Sequence, residues 1–115
     1  MASKTPRPGN FVRTMLRLAE TRDSISVVDD QRCTPTNCRD LAGWLLQIAS
    51  DQASGIVHAT NAGDATWAEF AEAIFAAADT GTRVQHITSE QFGAAAKRPP
   101  YSVLACDRLP KVRRH

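Results

Sequence analysis

The stretch GIVHATNAGDATWAEFAEAIFAAADTGTRVQHI, residues 55–87, decides the fold class. After Ser54-Gly55, the run Ile56-Val57-His58-Ala59-Thr60 reads as a short buried strand that ends at the turn residues 61–64. Thr66 and Glu69 then form T-x-x-E, where hydroxyl and carboxylate each satisfy a backbone N–H that a starting helix leaves unpaired. Trp67, Phe70, Ala71, Ile74, Phe75 and Ala78 follow at i, i+3, i+4, i+7, i+8 and i+11, a single helical stripe. Gly81 stops the helix, and residues 83–87 return to a strand.

Working outward, the same alternation continues. Upstream, Asn10 is a good N-cap, and Phe11, Met15 and Leu18 recur at i, i+4, i+7, predicting a helix over 10–22. Asp23-Ser24 makes a turn, and 25–28 (Ile-Ser-Val-Val) a strand. Residues 31–36, with Pro35, read as a loop. A helix over 37–50 carries Leu41, Trp44, Leu45 and Ile48 on one face. Downstream, 88–94 is a short helix, Pro99-Pro100 ends regular structure, and a loop leads to a turn near Asp107. Helices alternating with strands define an α/β domain. Residues 1–9, with two prolines and a glycine, are an irregular lead-in, and 110–115 are a basic tail.

A length of 115 residues, 43% hydrophobic and 23% charged, is one soluble globular domain's worth of chain or less. The net charge of +2 is unevenly spread. Residues 1–22 carry Lys4, Arg7, Arg13, Arg17 and Arg22 against Glu20 alone, and 97–115 carry six basic residues against Asp107. Such ends attract phosphates or nucleic acid, or are simply solvated faces and a frayed tail. Cys33, Cys38 and Cys106 form no CxxC pair and have no nearby histidine, so reduced thiols in a cytoplasm are expected. No apolar run approaches the ~20 residues of a membrane span, and the N-terminus is not a signal peptide, so no membrane partner is expected.

Several chemistries are missing from the sequence. A dinucleotide pyrophosphate needs closely spaced glycines at a helix start, yet the six glycines are never closer than eight residues apart. His58, His86 and His115 are scattered, as suits structural histidines. Asp29 and Asp30 are adjacent on an extended segment and point to opposite faces, not to a shared site. Trp67 and Phe70 can stack on a base, but their helical spacing suits core packing better.

Four segments nevertheless stand in a telling order. They are Asn10-Phe11-Val12 into Met15-Leu16-Arg17-Leu18, and Val27-Val28-Asp29-Asp30-Gln31 with Thr34-Pro35-Thr36 and Asp40-Leu41-Ala42. Gly55 to Asn61, with Gly63, Thr66-Trp67 and Glu69-Phe70-Ala71, is the third, and Lys97-Arg98-Pro99-Pro100-Tyr101-Ser102-Val103-Leu104 the fourth. Together, over residues 10–109, they resemble the C-terminal substrate-binding part of the dTDP-4-dehydrorhamnose reductases. These are extended short-chain dehydrogenases that make dTDP-L-rhamnose for cell-surface polysaccharide.

The resemblance implies the α/β substrate-binding portion of an extended Rossmann-type reductase, with the Rossmann half missing. It implies a dTDP-sugar nucleotide as partner, and NADPH or NADH for the complete enzyme but no cofactor in this chain. The family's Tyr-x-x-x-Lys pair is absent: the sole tyrosine is Tyr101, and Ala105 stands four residues on. A truncated copy, inactive alone and with no catalytic residue or metal, is therefore expected.

The resemblance also implies that this half closes over the nucleotide-sugar. Arg98 is the expected phosphate contact, since a guanidinium binds phosphate through two parallel hydrogen bonds, though a surface or structural pairing is its alternative role. Gln31 and Thr36 flank the loop facing the expected cleft, Asn10 is a cap or a cap that also touches ligand, and Ser102 is expected to bond within its own loop. Cys33 stands where the family usually has glycine, which would penalise any positive φ there, and Ala105 where an aspartate is common. The alternatives are a small basic nucleic-acid-binding module, which the basic residues support poorly without interleaved aromatics, and a non-catalytic partner of a full-length reductase. With a Rossmann half absent, strand 56–60 and the Trp67 face would be left partly uncovered, and self-association is expected.

Overall fold

The computed structural model describes residues 9–109, so most of the lead-in and the whole basic tail lie outside the described residues. Its elements run α1 (Phe11–Ala19), β1 (Ser24–Val28), β2 (Arg32–Cys33), α2 (Cys38–Ser50), β3 (Ala65–Thr66), α3 (Trp67–Ala78), β4 (Arg83–Ile87) and α4 (Ser89–Phe92).

The capping residues act as their chemistry dictates. Asn10 is extended and its Oδ1 accepts from the Arg13 N–H at 2.9 Å, which starts α1. Asn37 does the same for α2. At α3 the box is complete: the Glu69 N–H donates to Thr66 Oγ1 at 3.1 Å, and the Thr66 N–H to Glu69 Oε1 at 3.2 Å. The helix ends at Asp79 in the left-handed conformation (φ 55°), which aspartate tolerates better than most residues.

β1 and β4 pair in parallel, Ser24 opposite Arg83 through to Val28 opposite Ile87. Ile25 and Val27 of β1 are buried while Ser24 and Ser26 are exposed, the alternation of a strand covered on one face. The covering layer is α1 and α3, which pack on each other and on the sheet. Met15, Ile25, Val27, Ala68, Ala71, Ile74 and Phe75 form the core, with Phe11, Leu16, Trp67 and Phe70 against it. Ala68 and Ala71 are wholly buried, so α3 lies close to its neighbours at positions that leave no room for longer side chains. A second, two-residue sheet pairs β2 with β3 antiparallel, Arg32 opposite Thr66.

Three expectations need correction. Residues 56–60 form no strand; Ile56 is 78% exposed. A strand exists only within a ladder, and here the carbonyls of Ser54 and Ile56 accept from the Arg108 guanidinium at 2.9 and 3.0 Å instead. The loop at 31–36 contains β2, whose two residues are too few to leave a periodic signal. The Trp67 face, by contrast, stays partly uncovered as expected: the side chain is half-buried, with Phe11 against it at 4.8 Å between ring centroids. Ser102 bonds to Arg32 O across the fold, not within its own loop. Helix ends also shift: α1 stops at Ala19 rather than 22, and α4 at Phe92, where Gly93 takes φ +71°. Of the stripe expected on α2, Trp44 is buried but Leu45 is exposed.

Glu69 titrates below its ordinary value of 4.5, chiefly through the Thr66 N–H, then the Thr66 hydroxyl and the Arg32 charge. A depressed carboxyl stabilises the fold above its unfolded pKa and loses that contribution as pH falls through the folded value. Glu69→Gln, which keeps a capping amide but cannot titrate, should flatten the fall in melting temperature between about pH 5 and pH 3. Thr66→Ala should cost about 1 kcal/mol at neutral pH. Thermal melts followed by circular dichroism check both.

Candidate functional site

The parallel pairing brings the carboxyl ends of β1 and β4 side by side, the edge at which α/β sheets bind ligands. The residues leaving that edge are Asp29-Asp30-Gln31 from β1 and Thr88-Ser89 from β4. Asp29 and Asp30 do point apart. Asp29 Oδ2 meets His86 Nδ1 at 3.1 Å, and His86 Nε2 meets Glu72 of α3 at 3.1 Å. Asp30 instead holds α4: its Oδ2 accepts from the Ser89 N–H at 2.9 Å, and its Oδ1 from the Ser89 hydroxyl. Gln31 Nε2 donates to the same hydroxyl at 2.8 Å. The Ser89 hydroxyl, and after it the Ser89 N–H, hold the Asp30 carboxyl below its ordinary value of 3.8.

Beyond Gly93 the chain crosses open surface to Pro100 and returns to β2. The Arg32 N–H donates to Pro100 O at 2.8 Å and the Ser102 N–H to Arg32 O at 2.9 Å, a parallel bridge between Arg32 and Tyr101. Arg32 is itself fixed: its side chain contacts Asp64 at 2.8 Å and Glu69 at 3.1 Å. The hydrogen bond to Asp64, more than the nearby charges, raises the guanidinium's affinity for its proton.

Two adjoining clefts open along this edge. The larger, of ≈ 650 Å³, is lined by Asp30, Gln31, Ser89, Lys97, Arg98 and neighbours on the loop. The smaller, of ≈ 360 Å³, has an apolar wall of Phe11, Met15, Val28, Trp67 and Phe92. Gln31, Phe92, Ala94 and Arg98 line both. One side thus offers Lys97 and Arg98, the Gln31 amide and the carboxylates of Asp30 and Glu90, and the other flat apolar surface. That suits a molecule with an anionic part joined to a ring.

Of the four residues expected to bind substrate, Arg98 and Gln31 come together at the junction of the clefts. Arg98 is exposed and lines both clefts. Asn10 caps α1, one residue from the cleft-lining Phe11. Thr36 lines neither cleft. Its hydroxyl donates to Thr34 O at 3.1 Å and accepts from the Asn61 N–H at 3.4 Å. Asn61 in turn accepts from the Asn37 N–H at 2.7 Å and donates to Asp40 at 3.0 Å, so this group builds the start of α2. Sequence reasoning missed Ser89 and Phe92. The signal available for them was the box Thr88-x-x-Gln91, whose two reciprocal bonds start α4. Cys33 has no positive φ, the non-glycine cases among the described residues being Gln52 and Asp79, so the expected backbone penalty is absent. Burial pushes its thiol pKa up.

An α/β unit with a cleft at the carboxyl ends of parallel strands, and a loop arginine on its rim, has the form of the substrate-binding part of an extended reductase. The chain belongs to the RmlD substrate binding domain family, whose model matches residues 4–114. It is 43% identical over 96 residues to the spore coat polysaccharide biosynthesis protein SpsK of Bacillus subtilis, covering 84% of this chain and 34% of that protein. It is 37% identical over 114 residues to a dTDP-4-dehydrorhamnose reductase of Sinorhizobium fredii, covering 90% of this chain and 38% of the relative. Among solved structures, dTDP-4-dehydrorhamnose reductase from Bacillus anthracis, in complex with NADP, matches with a TM-score of 0.84 and 40% identity over 86% of this chain and 35% of that one. The chain therefore spans about a third of the length of these relatives.

Among these 115 residues no two glycines lie closer than eight apart, so the sequence holds no glycine-rich turn of the kind that lets backbone approach a pyrophosphate. Among the described residues no group of His, Cys, Asp and Glu could hold a metal ion, and no helix is long and apolar enough to cross a membrane.

The Asp30 carboxyl, followed through the Ser89 amide resonance, should titrate with a midpoint below 3.8. Its contribution to holding α4 is complete above the ordinary aspartate range and disappears as pH falls through the depressed value. Ser89→Ala should move the midpoint back towards 3.8, and an unchanged midpoint would contradict the assignment.

Proposed function

We propose that this chain is the nucleotide-sugar-binding part of a dTDP-4-dehydrorhamnose reductase. The parent reaction is NADPH- or NADH-dependent reduction of dTDP-4-dehydro-L-rhamnose to dTDP-L-rhamnose, for cell-surface polysaccharide. The observation that carries the reading is the meeting of Arg98 and Gln31 at a junction between a cation-bearing cleft and an aromatic one, within a domain of this family.

In this reading Arg98 takes the diphosphate. Two parallel N–H donors match two phosphate oxygens, and Lys97 beside it adds positive charge. The apolar wall of Phe11, Trp67 and Phe92 accepts flat or methylated parts of the ligand, such as thymine or the deoxysugar. Gln31 spends one donor on Ser89 and lines the cleft with the rest of its amide. Asn10 and Thr36 serve the site indirectly, by starting α1 and by bracing the start of α2.

The nicotinamide supplies a hydride when bound to the complete enzyme. The 115 residues here hold no Tyr-x-x-x-Lys to deliver the accompanying proton, so the chain alone binds without reducing. A cytoplasmic location follows from the same assignment. The match to the reductase family favours this reading over a nucleic-acid-binding module.

Calorimetric titration with dTDP should give saturable binding. Arg98→Ala should weaken it by about 10- to 100-fold, the usual size of a lost hydrogen bond to a charged group, with Arg98→Lys intermediate. Equal affinity for Arg98→Ala and the parent chain would refute the assignment. Oxidation of NADPH or NADH by the purified chain with the keto-sugar nucleotide would refute its inactivity.

A further inference from the structure

Three consecutive residues hold both ends of the loop that carries Arg98. At one end Asp30 accepts two bonds from Ser89, one from its N–H and one from its hydroxyl, and Gln31 donates to that same hydroxyl. These three bonds dock α4 on the carboxyl end of β1. At the other end Arg32 donates its N–H to Pro100 O and accepts from the Ser102 N–H. Between these attachments residues 93–100 are exposed throughout, so the loop has no burial of its own to define its path. Its course, and with it the position of Arg98, depends on how firmly the ends are held.

The charge of Asp30 makes its role separable from simple electrostatics. Asp30 and Glu90 both line the cleft assigned to the diphosphate, where a carboxylate repels the ligand. If charge alone mattered, removing either acid would tighten binding. Yet both oxygens of Asp30 are used by Ser89, which is the arrangement of a group retained for geometry in spite of its sign.

We propose that Asp30 and Ser89 are positioning residues: by clamping α4 to the end of β1 they fix the 93–100 loop so that Arg98 meets the diphosphate of the bound nucleotide, without themselves touching it. The proposal rests on the nucleotide-sugar reading of the site. The three-residue segment 30–32 acts as a hub. Asp30 and Gln31 set the start of the loop, Arg32 sets its end, and the salt bridges of Arg32 tie the hub through Asp64 to the turn before α3 and through Glu69 to α3 itself.

The experiment compares the parent chain, Asp30→Ala, Ser89→Ala, Ser89→Thr and Glu90→Gln. Each is checked for folding by circular dichroism, titrated with dTDP by calorimetry, and assessed without ligand by amide hydrogen exchange across residues 93–100. Asp30→Ala and Ser89→Ala should weaken dTDP binding by about three- to tenfold, the loss expected for a displaced contact, and should speed exchange in the loop. Ser89→Thr, which restores the hydroxyl, should return both towards the parent values. Glu90→Gln should leave loop exchange unchanged and tighten binding slightly, reporting the charge effect by itself. Unchanged or tighter binding by a folded Asp30→Ala chain, or unaltered loop exchange, overturns the clamp while leaving the nucleotide reading intact. Failure of the parent chain to bind dTDP at all overturns both.

Discussion

The parallel register of β1 on β4 is the constraint on which the rest of the molecule depends. Five residues of one strand lie beside five of the other, Ser24 to Val28 against Arg83 to Ile87. Parallel strands cannot be joined by a tight turn, so everything from Asp29 to Thr82 must leave one end of the sheet and return to the other. α3 makes the return, and its buried stripe of Ala68, Ala71, Ile74 and Phe75 covers the sheet face presented by Ile25 and Val27. The same register puts Asp30 within reach of Ser89. Slipping the pair by one residue would turn Ile25 and Val27 outward and separate that contact.

The core so built is small. Among the described residues no large side chain is below 2% exposure, and Leu46, Ile56 and Phe92 are 74%, 78% and 60% exposed. Stability then leans on polar devices at the edges of the core. The Thr66–Glu69 box starts α3, Arg32 joins β2 to the turn before α3 through Asp64, and Arg108 gathers the carbonyls around Gly55. Of these, the capping box gains from lying at a helix N-terminus, where a carboxylate also meets the positive end of the helix dipole. The exposed ion pairs contribute less individually, and their value lies in fixing where the connecting segments run.

The site inherits its shape from these constraints. Its two halves come from different parts of the chain: the apolar wall from α1, β1, α3 and α4, and the cationic rim from the loop after α4. Phe11 is shared between core and cleft, stacking on Phe70 at 5.4 Å and meeting Trp67 at a tilt at 4.8 Å while lining the smaller cleft. A cleft wall that is also a packing surface has its shape set by the core. The loop bearing Arg98 has no such support, which is why its end contacts matter.

The sequence by itself determined the helices and the two long strands. Thr66-x-x-Glu69, the stripe from Trp67 to Ala78 and the N-caps Asn10 and Asn37 act through bonds and spacings a few residues long, so they are written locally. Strand 83–87 was legible to the residue for the same reason. Only the tertiary structure decided what depends on a distant partner. Residues 56–60 have the composition of a strand but no ladder to join, while Arg32-Cys33, too short to show a pattern, pair with Ala65-Thr66. Thr36 and Gln31 looked alike as polar loop residues. The fold turned one towards Asn61 and the other towards Ser89, because hydrogen bonds between side chains far apart in the chain exist only once the backbone has brought them together.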